Sequence, residues 1–143
     1  MNNPEPFVIE RVYDAPVEKV WKALTDKNDM KKWYFDIAEF EPVIGFEFTF
    51  TGRNEKNDKT YIHLCRIEEV VVNRKLGYSW RYEGHEGISR VTFELNQENG
   101  KTRLKLIHEG IETFPDSPDF AKSNFEGGWS YLIGKSLMEF VEK

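Results

Sequence analysis

The sequence predicts an α+β fold in which a sheet wraps around a long C-terminal helix. Three observations carry this. Residues 7–13 form a strand-like run that leads straight into two short helix-like segments. The middle of the chain, from Phe46 to His108, is a series of runs in which apolar residues alternate with polar ones. The end, from Phe125 to Val141, carries an apolar stripe at helical spacing. A sheet curled around one helix tends to enclose a pocket.

Each element follows from local chemistry. Phe7 to Tyr13 is rich in strand formers. Asp14 is a plausible cap, and Pro16 suits a first helical turn. Val17, Val20, Trp21 and Leu24 then share one helical face. A second short helix begins after Thr25 or Asp26 and carries Met30, Trp33 and Tyr34. Residues 36–41 read as a weak strand. Phe46, Phe48 and Phe50 alternate with Glu47 and Thr49, and Gly52 to Lys59 is a polar turn. Residues 60–72 form a long strand whose phase shifts at Glu68-Glu69, which predicts a bulge. Leu76, Tyr78, Trp80 and Tyr82 share a face of the next strand. Val91, Phe93 and Leu95 follow the turn at Gly84 to Gly87, and the hairpin signal Asn99-Gly100 leads to Leu104, Leu106 and His108.

The last helix has two candidate starts. Ser117-Pro118 offers a cap followed by proline, and Ser123-Asn124-Phe125-Glu126 reads as a capping box. Phe125, Trp129, Leu132, Ile133, Leu137, Phe140 and Val141 make the stripe. Gly127-Gly128 costs roughly 1 kcal/mol per glycine relative to alanine inside a helix. Close approach of another backbone, room for a cavity beside Trp129, or a frayed helix start would each account for that.

The bulk properties narrow the function classes. A chain of 143 residues predicts a single domain, 1–143, with one real core. Aromatics make up 15% of it, and such rings suit both cores and cavity walls. A net charge of -5 argues against a nucleic-acid partner, which requires a basic surface. Lys56, Lys59, Arg74 and Lys75 are scattered loop charges and make no patch. The lone cysteine, Cys65, excludes an internal disulfide and fits a reducing cytoplasm. No apolar run reaches the length of a membrane span, so no membrane partner is expected. Residues 1–6 are polar and proline-bearing, unlike a signal peptide.

Several motifs in fixed order carry a resemblance. They are Ala15-Pro16 followed by Val20-Trp21, Ala23-Leu24-Thr25-Asp26, Lys32-Trp33-Tyr34, and Leu76-x-Tyr78-x-Trp80. Thr102-x-Leu104-x-Leu106-x-His108-x-Gly110 and Gly127-Gly128-Trp129 with Leu132 complete the set. Together they resemble the stand-alone bacterial members of the activator of heat-shock-protein-90 ATPase homologue-like family. That family lies within the START-like superfamily, also called SRPBCC or birch-pollen-allergen-like. The resemblance covers essentially the whole chain. It implies a helix-grip fold: a curved antiparallel sheet of about six or seven strands around the C-terminal helix, with two short helices after the first strand.

The candidate chemistry is sparse. His108 is in phase with Leu104 and Leu106 and should face the interior, either as a bonded core histidine or as a polar group beside a pocket. His63, in phase with Tyr61 and Cys65, is placed similarly, whereas His85 lies in a glycine turn. The three histidines lack the local spacing of a zinc site, so no metal is expected. Nothing local activates Cys65, and Glu68 and Glu69 point to opposite faces. No loop has the glycine pattern of a phosphate cradle, so no cofactor and no catalytic residue is assigned.

The aromatics remain. Trp33, Phe48, Phe50, His63, Tyr78, Trp80, Phe93, His108, Phe125, Trp129 and Ile133 are the candidate ligand-binding residues, read alternatively as simple core. The expected function is non-enzymatic binding of a small hydrophobic molecule, aromatic or lipid-like, between sheet and C-terminal helix. The resemblance implies two alternatives. One is a chaperone-associated, stress-response module with a chaperone partner. The other is a polyketide cyclase or aromatase-like enzyme, for which His108 is the one serious acid–base candidate. A lone domain is expected not to stimulate a heat-shock-protein-90 ATPase appreciably.

Overall fold

A computed structural model describes residues 5–54 and 58–143. Strand β1 (Phe7–Tyr13) runs into helices α1 (Val17–Thr25) and α2 (Lys27–Trp33). Five strands follow: β2 (Glu47–Asn54), β3 (Lys59–Val71), β4 (Lys75–Tyr82), β5 (Ser89–Glu98) and β6 (Lys101–Glu109). They form one six-stranded sheet in the order β1-β6-β5-β4-β3-β2, with every neighbouring pair antiparallel. Two short 3₁₀ turns, Ile111–Thr113 and Pro118–Phe120, lead to α3 (Lys122–Tyr131). A π-helical turn, Leu132–Ser136, joins α3 to α4 (Leu137–Val141).

The register explains the core. Phe48 pairs with Cys65, Cys65 with Trp80, Ile67 with Tyr78, Tyr78 with Val91, and Val91 with His108. Residues on these rungs share one face of the pleat, so the alternating apolar set lands together against the helices. The shift between Ile67 and Glu69 is the expected bulge. It keeps Ile67 buried on one side while Glu69 reaches Arg90 and Lys75 on the outer face. Asn99 and Gly100 both adopt positive φ, as the expected tight hairpin requires.

Several local expectations fail for identifiable reasons. Residues 36–41 form no strand. Ile37 and Phe40 are buried anchors three apart in an irregular segment, which breaks the alternation a strand needs. Pro16 sits at the N-cap of α1 with no side-chain cap, and the Asp14 backbone N–H donates instead to the Glu142 carboxylate. The capping box does not form, because Ser123 is already inside α3, whose N-cap is Ala121. The Ser117 signal is real but caps only the 3₁₀ turn, where its hydroxyl accepts from the Asp119 N–H. The polar turn is shorter than expected, since β2 extends to Asn54. Its residues 55–57, including Lys56, lie outside the described residues, as do residues 1–4 of the polar start.

The closing helical segment is buried at Phe125, Trp129, Ile133, Leu137 and Val141. This spacing of four would drift around a regular α-helix of 3.6 residues per turn. The π turn adds residues to one turn and brings the stripe back onto the sheet. Two side-chain bonds hold it. The Tyr13 hydroxyl donates to the Ile133 carbonyl at 2.7 Å, and the Ser136 hydroxyl donates to the Trp33 carbonyl at 2.7 Å. Among the described residues, no helix is long and apolar enough to cross a membrane.

Candidate functional site

A cleft of about 430 Å³ lies between the concave face of the sheet and α3. Gly52 and Arg53 of β2, Tyr61 and His63 of β3, and Trp80 and Tyr82 of β4 form the sheet wall. Asn124, Phe125, Gly128 and Trp129 of α3, with Leu132, form the helical wall. Phe35, Asp119 and Phe120 complete the lining. The wall is mainly aromatic. His63 stacks on Phe50 with ring centres 4.3 Å apart, and Trp80 lies edge-on to His63 at 4.9 Å.

The candidate residues divide into two groups. His63, Trp80, Phe125 and Trp129 line the cleft. Trp33, Phe48, Phe50, Tyr78, Phe93, His108 and Ile133 sit in the packed interior outside its lining. Trp33 is held by its own bond, Nε1–H to the Ala23 carbonyl at 2.7 Å. Tyr78 shares a hydroxyl–hydroxyl bond of 2.8 Å with Tyr34, whose ring stacks against Trp129. Burial raises the phenol pKa of both tyrosines well above the usual value.

His108 is fully buried and fully bonded. The Trp129 indole N–H donates to His108 Nδ1 at 3.0 Å. An acceptor at Nδ1 puts the proton on Nε2, which then donates to Ser89 Oγ at 2.8 Å. The Ser89 hydroxyl passes the chain on to the Trp80 carbonyl at 2.9 Å. Both partners are side chains. Burial lowers the His108 pKa to about 3, so the ring is neutral and its lone pair is engaged. His63 is also neutral, its pKa lowered to about 4 by burial, with Nδ1 3.3 Å from the Phe50 carbonyl.

The polar groups of the cleft gather at its rim. The Tyr61 hydroxyl donates to the Asp119 carboxylate, tying β3 to the turn before α3. Desolvation, then that bond and the carboxylate's charge, raise the Tyr61 pKa to about 12. Arg53 pairs with Asp58 on the β2–β3 side. Cys65 is buried under this wall, and burial raises its thiol pKa. Among the described residues, no three His, Cys, Asp or Glu side chains cluster as metal ligands.

Sequence reasoning passed over Phe35, Gly52, Tyr61, Tyr82, Phe120 and Leu132 as lining residues. Four of these carried a usable signal: Tyr61 is in phase with His63, and Leu132 belongs to the helical stripe. Tyr82 continues the face of Tyr78 and Trp80, and Gly52 continues the face of Phe48 and Phe50. Phe35 lies in an irregular segment and Phe120 ends a short 3₁₀ turn, where no periodicity points.

A curled antiparallel sheet gripping a C-terminal helix, with an aromatic cleft between them, defines a helix-grip protein of the START-like class. The family model described as Activator of Hsp90 ATPase homolog 1-like protein matches residues 14–142, and the chain belongs to that family. Solved structures share the fold. Protein CV1439 from Chromobacterium violaceum is 23% identical with a TM-score of 0.83, covering 99% of each chain. CalU16 from Micromonospora echinospora is 26% identical with a TM-score of 0.73, covering 95% of this chain and 75% of its own. DynU16, from the dynemicin biosynthetic locus, is 18% identical with a TM-score of 0.80. The match covers 99% of this chain but 48% of DynU16. A search of curated proteins finds no match.

Proposed function

We propose that this protein binds a small, flat, mainly apolar molecule, aromatic or lipid-like, in the cleft between sheet and α3, and does not convert it. The aromatic cleft carries the reading. Its volume of about 430 Å³ suits a ligand of a few fused or linked rings. Rings from β3, β4 and α3 offer both faces and edges to such a molecule. His63, Trp80, Phe125 and Trp129 are the proposed contacts, with Tyr61, Tyr82 and Phe120 added from the geometry. The lone, buried Cys65 suits a cytoplasmic setting.

The bonding of His108 speaks against the cyclase-like alternative. A general base needs a free lone pair near the reacting atom, and here Trp129 occupies it. Family membership favours a chaperone-associated role as the second reading. Protein NMR separates the two. A library of hydrophobic compounds should shift signals of Trp80, Phe125 and Trp129 while leaving those of Ile133 and Phe93 nearly still. A library that shifts nothing in the cleft, alongside a several-fold rise in Hsp90 ATPase turnover on adding this chain, would favour the chaperone reading instead.

A further inference from the structure

We propose that Gly128 is the doorway of the cleft and sets the width of molecule it admits. This rests on the reading of the cleft as the binding site. Glycine inside a helix needs a reason, and two ordinary reasons do not apply. Gly128 is not among the glycines of positive φ. Nor is it forced by close packing: among the described residues, apart from its chain neighbours and the adjoining backbone of its own helix, no atom lies within 4 Å of where its Cβ would stand. Gly87 shows the contrast, since a Cβ there would lie 2.4 Å from the Thr113 carbonyl oxygen.

What remains is the space itself. Asn124, Gly128 and Leu132 succeed one another at intervals of four along the helical wall, and all three line the cleft. Gly128 is therefore a gap in a ridge of side chains, opening the interior to solvent. Gly127 is also helical and also has free space around its Cβ position, yet it lies outside the lining. The opposite wall repeats the device. At Gly52 a Cβ would stand 2.7 Å from His63 Cε1, so the absent side chain leaves room for the imidazole to lie back against β2. A larger residue at Gly52 would push that ring into the cleft.

The test uses the full chain and the neutral, flat fluorophore N-phenylnaphthylamine. Its affinity is measured for wild type and for alanine and leucine at each of the two glycines. Gly128→Ala should weaken binding slightly and Gly128→Leu by roughly tenfold or more. Gly127→Ala and Gly127→Leu should stay within about twofold of wild type. Thermal melts run alongside should rise for both alanine variants, because each removes a helical glycine. Should Gly128→Leu fail to fold, the graded loss is read from Gly128→Ala and Gly128→Ser. Wild-type binding with a flat series at position 128 would overturn the doorway and leave the cleft reading standing. A wild type that binds no fluorophore would overturn the cleft reading, and the doorway with it.

Discussion

The indole N–H of Trp129 and Nδ1 of His108 meet at 3.0 Å in a fully enclosed site, joining the closing helix to the last strand. The bond fixes the histidine's tautomer and holds the tryptophan ring against Trp80, 5.6 Å between centres. A wall of the cleft thus depends on a polar contact behind it.

Removing that contact should be costly. Trp129→Phe keeps a ring but leaves Nδ1 buried without a donor, at about 1–3 kcal/mol. Trp129→Ala also opens a void, and the loss should reach about 3–5 kcal/mol. Urea denaturation of the two variants measures both. A Trp129→Phe protein as stable as wild type would show that the bond contributes nothing net.

Ser89→Ala addresses the other end of the chain. It strands the His108 Nε2–H and frees the Trp80 carbonyl, both in buried surroundings. A loss of about 1–3 kcal/mol is expected, with the NMR signal of Nε2–H moving upfield as its bond is lost. An unchanged proton signal would place the histidine proton on the other nitrogen.

Acid should weaken the fold through both buried histidines. Their folded pKa values, about 3 for His108 and about 4 for His63, lie below the unfolded value. The unfolded chain therefore binds more protons across that window. The contribution is complete above about pH 6.5 and is lost progressively as pH falls toward the folded values. Denaturation midpoints at descending pH should trace this decline, while imidazole carbon signals of His63 and His108 stay constant down to about pH 5 in the native state. A native-state titration of either ring near neutrality would contradict its buried, neutral placement.

Cys65 should be silent in the native protein. Its thiol is buried beside Trp80 and its pKa is raised by desolvation. A thiol-specific chromogenic disulfide should react at the rate of unfolding or opening, and in denaturant at once. Rapid labelling without denaturant would mean that the wall of β3 opens locally.

Much of this architecture was legible in the sequence because its signals are periodic. Phe46, Phe48 and Phe50, or Leu104, Leu106 and His108, reveal a face by alternation, and the register adds those faces together. The disturbed phase at Glu68 announced the bulge for the same reason. Which aromatic rings border open space was not legible. Phe48, Phe50 and Phe93 share the inward face with Trp80, yet only Trp80 reaches the cleft. That difference depends on how Tyr34 and Phe35 fold back from α2 to cover Phe50, a long-range event without a local pattern. The start of the closing helix was misread because capping residues also serve isolated turns, as Ser117 does.

The pairing of β1 with β6 has a consequence for how the chain assembles. Phe7 is opposite His108 and Tyr13 opposite Thr102, so the first strand has no partner until β6 has been made. Such distant pairing carries a large loop-closure entropy and places folding in the slow, roughly millisecond-to-second range. Meanwhile the aromatic face of β2 to β5 is the surface most exposed to intermolecular association. Synthesis adds the covering helix, Lys122 to Val141, after all six strands. A chain halted before Lys122 should accordingly aggregate, and in pulse-labelling the amides of β1 should gain protection together with those of β6 rather than ahead of them.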